Sequence, residues 1–173
     1  MYHQVNELLF KMILWEIDQV AKATDVSADK FTMHLNRISR YFDMLCSSFD
    51  VMADGMEKEQ YLKFRNTLTP ASGFQSAQYR KIEFASTESI NLIDARFRED
   101  IDRSSSFKNA YNHLYWQAAG VNHKTGDKSI LIKLFDKKYI GVFIDFMEDY
   151  NDCNLSLKFK NLTKTLNLSN NDF

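Results

Sequence analysis

The sequence predicts an all-α protein, and three observations support this prediction. The 173 residues include one proline and five glycines, too few turn formers for many short strands. Apolar residues make up 45% and aromatic residues 14%, enough to bury a core. Apolar side chains recur at steps of three and four over most of the chain, as on helix faces. We therefore expect residues 1–173 to form a single helical domain.

Composition also argues against several kinds of partner. A formal net charge of −1 gives no electrostatic basis for binding nucleic acid or anionic lipid. No apolar run reaches the length of a transmembrane helix, and Glu7, Lys11 and Glu16 interrupt the N-terminal apolar residues that a signal peptide would need. Cys46 and Cys153 have no CxxC or Cys/His spacing. We expect free thiols in a reducing compartment, the cytoplasm.

Three helices are predicted before the single proline. Residues 2–23 are apolar on more than one side, which is typical of a helix buried at the centre of a bundle. Ser27 is a candidate N-cap for the next helix. That helix carries one amphipathic stripe, formed by Phe31, Leu35, Ile38, Phe42, Leu45 and Phe49. A short helix over 57–68 ends before Pro70, because proline disfavours the helical conformation in the residue before it.

The second half is predicted to be helical as well. Its first helices are expected over residues 75–85, 87–102 and 107–119. The segment SILIKLF, residues 129–135, is β-like, and without a second strand to pair with we interpret it as extended chain. Asp136 is the candidate cap of a helix over 137–150, and a last amphipathic helix covers 154–166. The expected product is an all-α bundle.

Residues 61–80, YLKFRNTLTPASGFQSAQYR, join a helix to a polar, turn-forming loop. Tyr61, Arg65 and Leu68 fall at i, i+4 and i+7, so one helical face presents a phenol, a guanidinium and an aliphatic side chain. A fixed cation beside a tight loop suits an anionic small molecule. The alternative is that Arg65 pairs with a nearby carboxylate and the loop only joins helices. Spacing alone favours this alternative.

Histidine spacing alone identifies neither a catalyst nor a metal site. His3 lies on one face of the first helix with Glu7, and a lone histidine on such a face is more often a hydrogen-bonded core residue. His113 and His123 have no partner at a metal-ligand spacing such as HxxxH. We therefore expect no structural metal site.

Three stretches resemble the tryptophan 2,3-dioxygenase family. MYHQVNELLFKMILWEIDQV is similar to the helix that carries the family's distal histidine before a Glu-Leu pair. YLKFRNTLTPASGFQSAQYRKIE resembles the family's longest signature and is too long for a chance match. YWQAAG and FDKKYIGVFIDF resemble the middle helices of bacterial members. Together the three stretches span most of the chain.

The resemblance implies a fold, a cofactor and a reaction. The fold is the helical bundle of the tryptophan and indoleamine dioxygenases. The cofactor is haem b, and O2 adds across the indole C2–C3 bond of L-tryptophan to give N-formylkynurenine in the kynurenine pathway of tryptophan catabolism. The resemblance also implies a homotetramer. Relatives that act on other indoles remain possible, because an arginine recognises a carboxylate and not one particular amino acid.

The resemblance also assigns roles to four side chains. His3 matches the distal histidine, which accepts a hydrogen bond from the indole N–H. Arg65 matches the arginine that forks onto the substrate carboxylate, a geometry that the planar guanidinium suits. Tyr61 matches a tyrosine that shapes the same pocket, and Leu68 matches an apolar wall beside the indole.

The signature loop also matches the family, whereas three of the family's other segments have no match in this sequence. Ser72 and Gly73 match the positions that approach the haem edge and propionates, where glycine permits close backbone contact. No string here matches the family's proximal histidine, the Gly/Thr-rich loop after it, or the N-terminal segment. None of His34, His113 and His123 lies in a matching string, so we expect no axial haem ligand and little or no turnover by this chain alone.

Three further interpretations concern the length of the chain and the alternatives to an enzyme. The abrupt ends of the chain indicate a fragment of a longer protein or a shortened gene product. The alternative to an enzyme is a non-catalytic, truncated relative that acts as a small-ligand binding or oligomerisation module. A helical bundle with an unrelated ligand remains only if the motif match is accidental.

Overall fold

The structure, a computed structural model, describes residues 2–68, 76–121 and 125–166. Seven α-helices are present in these residues: α1 (Tyr2–Ala21), α2 (Ala28–Asp54), α3 (Lys58–Leu68), α4 (Ala77–Ser86), α5 (Phe107–Asn112), α6 (Ile130–Tyr150) and α7 (Leu155–Thr165). Short 3-10 segments cover Ser89–Leu92, Ala95–Phe97 and Tyr115–Gly120. The β-structure of the described residues consists of two isolated bridges, Ile93 with Leu114 and Val121 with Lys128. The predicted all-α class is confirmed.

Side-chain caps set where most of these helices begin. The predicted cap at Ser27 is confirmed, since its hydroxyl accepts a hydrogen bond from the Lys30 N–H at 3.2 Å. The caps of the later helices α4, α5, α6 and α7 work in the same way and are Ser76, Ser106, Ser129 and Asn154. Each cap satisfies an N–H of the first turn that has no partner within the helix.

The helices predicted over 87–102 and 107–119 are wrong in extent. Residues 89–97 form two 3-10 turns, and Asp94 caps the second by accepting from the Arg96 N–H at 3.0 Å. α5 ends at Asn112 because the chain then pairs with this segment: the Asp94 N–H donates to the His113 carbonyl at 2.9 Å. The Ile93–Leu114 bridge lies next to this bond. Local spacing does not reveal such a pairing.

The predictions for residues 129–136 are also wrong. α6 begins at Ile130, because the Ser129 hydroxyl accepts from the Ile132 N–H at 3.3 Å. The segment SILIKLF is therefore the start of a helix, with Ile132 buried and Ile130 exposed. Asp136 lies inside α6 and is not its cap; its carboxylate binds three other side chains, described below.

Helix α1 is buried on two sides and exposed on a third. It packs against α2 and α4, and Leu9, Ile13 and Ile17 lie in the core that these helices share. The prediction of a helix buried at the centre of the bundle is therefore wrong for the third face of α1. The large apolar side chains of its third face are Val5, Leu8, Met12 and Trp15, which are 46%, 58%, 37% and 67% exposed. Their spacing of three and four residues forms a continuous stripe, the α1 outer face.

A second core joins α4, α5 and α6 through aromatic side chains. The Trp116 ring meets Tyr111, Phe135 and Phe143 with centroids between 5.6 and 6.5 Å apart and nearly perpendicular planes. Edge-to-face contacts of this kind stabilise a core beyond the area they bury.

Within the described residues, no helix has the length and apolar character needed to cross a bilayer.

Two glycines of this second half offer a matched test of packing. We expect Gly120→Ala to lower the free energy of unfolding by about 1–3 kcal/mol, because the new Cβ would lie 2.4 Å from Cδ1 of the fully buried Ile132. Gly141→Ala within α6 meets nothing within 4 Å. It should raise the free energy of unfolding by up to about 1 kcal/mol, because alanine favours helix. Urea denaturation measures both, and equal midpoints for the two variants would contradict the packing.

Candidate functional site

The predicted site residues fall on two helices and on a segment outside the described residues. His3 lies in the first turn of α1 and is exposed. Tyr61, Arg65 and Leu68 lie on α3, as predicted, and Tyr61 is half-buried. Ser72 and Gly73, like Pro70, lie outside the described residues. Among the residues that are described, α3 makes no extensive contact with another helix, so these contacts do not bring His3 and α3 together.

The helix of His3 is joined to the start of α4, which follows the predicted loop. Gln78 Nε2 donates to the Glu7 carbonyl at 2.9 Å and to Glu7 Oε2 at 2.6 Å. One turn further along α1, the Phe10 ring packs against Tyr79 with centroids 5.4 Å apart. A hydrogen-bonded and apolar contact therefore ties the first half of α1 to the residues that directly follow the loop.

The arginine of the QYRKIE string is part of a buried ion pair. Arg80 is 3% exposed; its Nη1 lies 2.9 Å from Glu83 Oε2 and donates to Tyr115 Oη at 3.1 Å. Tyr115 Oη donates in turn to Glu83 Oε1. The guanidinium lies over the rings of Tyr79 and Trp116, at 4.8 and 5.5 Å from their centroids. Arg80 is thus engaged inside the fold.

Burial changes the acid–base properties of this cluster. Removal from water raises the pKa of the Glu83 carboxyl, although the hydrogen bond from Tyr115 and the charge of Arg80 both act to lower it. Burial also raises the pKa of Tyr115, and the hydrogen bond to Glu83 adds to this. Arg80 and Glu83 lie on α4, which follows the predicted loop, and Tyr115 joins them from the 3-10 segment Tyr115–Gly120.

A second polar cluster was not predicted from the sequence. Asp136 accepts hydrogen bonds from Tyr111 Oη at 2.8 Å, Gln117 Nε2 at 3.1 Å and Lys128 Nζ at 2.8 Å. Burial, and next the bond to Asp136, raise the pKa of the Tyr111 phenol well above its ordinary value. The cluster joins α5, the 3-10 segment after it and α6. Its members are too far apart in sequence for spacing to reveal it.

A third cluster joins α1 to α2. Glu16 and His34 are 1% and 2% exposed, and His34 Nδ1 lies 2.6 Å from Glu16 Oε2. Arg37 Nη2 lies 2.8 Å from the other oxygen, Oε1. Arg37 is half-exposed and reaches back to the buried carboxylate. The available signal was Glu16 itself, a charged residue among the apolar side chains of a buried helix.

Two of the three histidines other than His3 lie in the described residues, and each is hydrogen-bonded through Nδ1. His34 is engaged with Glu16, and His113 Nδ1 lies 2.8 Å from the Asn109 carbonyl. His123 lies outside the described residues. In the part of the chain that the structure describes, no group of three or more His, Cys, Asp or Glu side chains could hold a metal ion. These bonds assign no axial haem ligand, and His3 stays a predicted distal side chain.

Comparison with known proteins identifies the family. The family profile described as Tryptophan 2,3-dioxygenase matches residues 1–134. This chain belongs to the tryptophan 2,3-dioxygenase family. The matched range contains all six predicted site residues, which are His3, Tyr61, Arg65, Leu68, Ser72 and Gly73.

Individual tryptophan 2,3-dioxygenases resemble parts of this chain. The protein from Alteromonas mediterranea is 34% identical over 141 residues, which are 78% of this chain and 36% of the relative. Those from a Ruegeria species and Xenopus tropicalis are 43% and 38% identical over 84 and 88 residues. These two matches cover 47% of this chain and 29% and 21% of the relatives. The chain thus spans about a third or less of their length. A comparison with solved structures gave no match.

Proposed function

We propose that this chain carries the substrate-recognising, distal side of a tryptophan 2,3-dioxygenase site and turns over little or no substrate by itself. Family membership over residues 1–134 supports the proposal. The observation that carries it is the placement of Tyr61, Arg65 and Leu68 on one helix, α3, directly before the signature loop. A phenol, a guanidinium and an aliphatic side chain on successive turns suit an aromatic amino acid with a free carboxylate.

Each side chain has a role in binding L-tryptophan. Arg65 donates two parallel N–H bonds to the substrate carboxylate, which the fixed fork of a guanidinium favours. Leu68 forms an apolar wall for the indole, and Tyr61 shapes the same pocket. The indole nitrogen only donates hydrogen bonds, so His3 must accept with an unprotonated ring nitrogen. His3 thereby orients the indole ring.

The remaining parts of the proposal concern cofactor, assembly and place. Haem b, when bound, supplies the O2 chemistry that opens the indole ring in the kynurenine pathway, and Ser72 and Gly73 would approach its edge. The proposal also includes assembly of the chain into a homotetramer in the cytoplasm. The α1 outer face supports self-association, because a continuous exposed apolar stripe of this kind is common where subunits meet.

A second candidate function is favoured because none of His34, His113 and His123 lies in a string that matches the family's proximal histidine. In that case the chain is a non-catalytic, truncated relative that binds a small ligand or assembles with other chains. The two candidates share the recognition of a carboxylate by Arg65 and differ in whether the bound ligand is ever oxidised.

Substitution of Arg65 tests the proposal. We expect L-tryptophan to bind the chain, and Arg65→Leu to weaken that binding by about 10- to 100-fold, the effect of losing a hydrogen bond to a charged group. Arg65→Lys should weaken it less, because the charge remains and the fork is lost. Binding is measured by NMR titration.

Tryptamine, which lacks the carboxylate, is the matched control ligand. It should bind the wild type and Arg65→Leu equally. The proposal is overturned if L-tryptophan binds both proteins alike, or if Arg65→Leu weakens tryptamine as much as L-tryptophan.

A further inference from the structure

Two hydrogen bonds from Gln78 to Glu7 connect the start of α4 to the first two turns of α1. α1 has no acidic residue in its first turn, so the positive end of the helix dipole lacks a compensating charge there. In the described part of the chain, two side chains from other helices hydrogen-bond the first two turns. Ser48 reaches Asn6 at 3.5 Å, and Gln78 reaches Glu7 at 2.6 and 2.9 Å. The Gln78 contact is the stronger by distance.

The chemistry of this contact fixes its geometry. Both partners of the Gln78 amide, a backbone carbonyl and a carboxylate oxygen, are acceptors, so the amide nitrogen must face them. One side chain therefore uses both of its N–H groups on a single residue of α1. The bond to the carbonyl holds the backbone of α1 itself, and the bond to the carboxylate holds the Glu7 side chain beside it.

We infer that Gln78 and Glu7 are positioning residues, a clamp that holds the first two turns of α1, and with them His3, against the start of α4. His3 lies one turn before Glu7 on the same helix face. Gln78 is the second residue of α4, which begins just after the segment that contains Ser72 and Gly73. The consequence for substrate rests on the proposed function, in which His3 accepts the indole N–H.

Hydrogen exchange of the free chain tests the clamp without haem or substrate. We expect Gln78→Ala to accelerate amide exchange in residues 5–10 by about 5- to 30-fold, while the amides of residues 13–20 keep their protection. Gln19→Ala is the matched control: Gln19 lies on the same helix, and its amide donates to the Trp15 carbonyl within α1. It should leave residues 5–10 unchanged.

A charge exchange between the two residues provides the rescue. Gln78→Glu alone sets two carboxylates against each other and should accelerate exchange more than Gln78→Ala. The double variant Glu7→Gln, Gln78→Glu restores a donor facing an acceptor and should recover part of the protection. The clamp is overturned if Gln78→Ala behaves like Gln19→Ala, or if exchange rises equally along all of α1, which would indicate general destabilisation.

The NMR signal of the His3 ring separates the clamp from the proposed function. With ¹³C-labelled histidine, L-tryptophan should shift the His3 signal of the wild type, and Gln78→Ala should lose most of that shift while the affinity changes by less than about threefold. An undiminished shift in Gln78→Ala would overturn the positioning role. If the wild-type signal does not move, the role of His3 in the proposed function fails, and the exchange result alone decides the clamp.

Discussion

Replacing Glu16 with alanine is expected to lower the free energy of unfolding by about 3–5 kcal/mol. This is a large fraction of the total free energy of unfolding of a domain of this size. The carboxylate is 1% exposed and faces two donors, His34 Nδ1 at 2.6 Å and Arg37 Nη2 at 2.8 Å. Without it the buried His34 ring has no acceptor for Nδ1–H, and a cavity opens between α1 and α2. Urea denaturation followed by circular dichroism gives the value.

Two further variants identify the cause. Arg37 is half-exposed, so Arg37→Ala should cost far less than Glu16→Ala. The double variant Glu16→Leu, His34→Leu replaces the buried polar pair with apolar side chains and should recover much of the stability lost in Glu16→Ala. The interpretation fails if Glu16→Ala and Arg37→Ala cost the same, or if Glu16→Ala costs less than about 0.5 kcal/mol.

The second large effect is expected at Asp136. Asp136→Ala should lower the free energy of unfolding by about 2–5 kcal/mol, because it removes the acceptor of two buried groups, Tyr111 Oη and Gln117 Nε2. Tyr111 is fully buried in the aromatic core, so its hydroxyl has no access to water. The third donor, Lys128, is partly exposed and contributes less. The measurement is again urea denaturation.

Tyr111→Phe provides the control for Asp136. It removes the buried hydroxyl together with its hydrogen bond and should cost about 1 kcal/mol. In the double variant with Asp136→Ala the two effects should not add, because the phenylalanine leaves no unsatisfied hydroxyl behind. Strict additivity would contradict a direct bond between the two side chains.

The start of α2 and part of its packing could be predicted from the sequence because these signals are local. Ser27 caps α2, and Phe31, Ile38 and Leu45 of its stripe are buried, whereas Leu35 and Phe49 are 38% and 56% exposed. The later boundaries were wrong for two different reasons. The pairing of Ile93 with Leu114, which are distant in sequence, ends α5. The cap at Ser129 is a local signal, but the β-like string after it was interpreted as extended chain instead of the start of α6.

The sequence motifs were enough to predict the family and the residues of the candidate site, but not the contacts that these residues make. Family membership and the placement of Tyr61, Arg65 and Leu68 on one helix are confirmed. Their roles, and those of His3, Ser72 and Gly73, stay predictions. The buried partners of Glu16 could not have been found, because His34 lies 18 residues away and its contact depends on how two helices pack. The Gln78–Glu7 bonds span 71 residues for the same reason.

The central claim, that this chain supplies the distal side of the site without an axial ligand, is tested most directly by an absorption spectrum. Ferrous haem is added to the purified chain and the spectrum is recorded with and without L-tryptophan, beside haem in buffer. The account predicts the spectrum of free haem, unchanged by L-tryptophan. A Soret band that sharpens and then shifts with L-tryptophan would contradict it, because one of the chain's own histidines would then hold the iron in a substrate-sensing pocket.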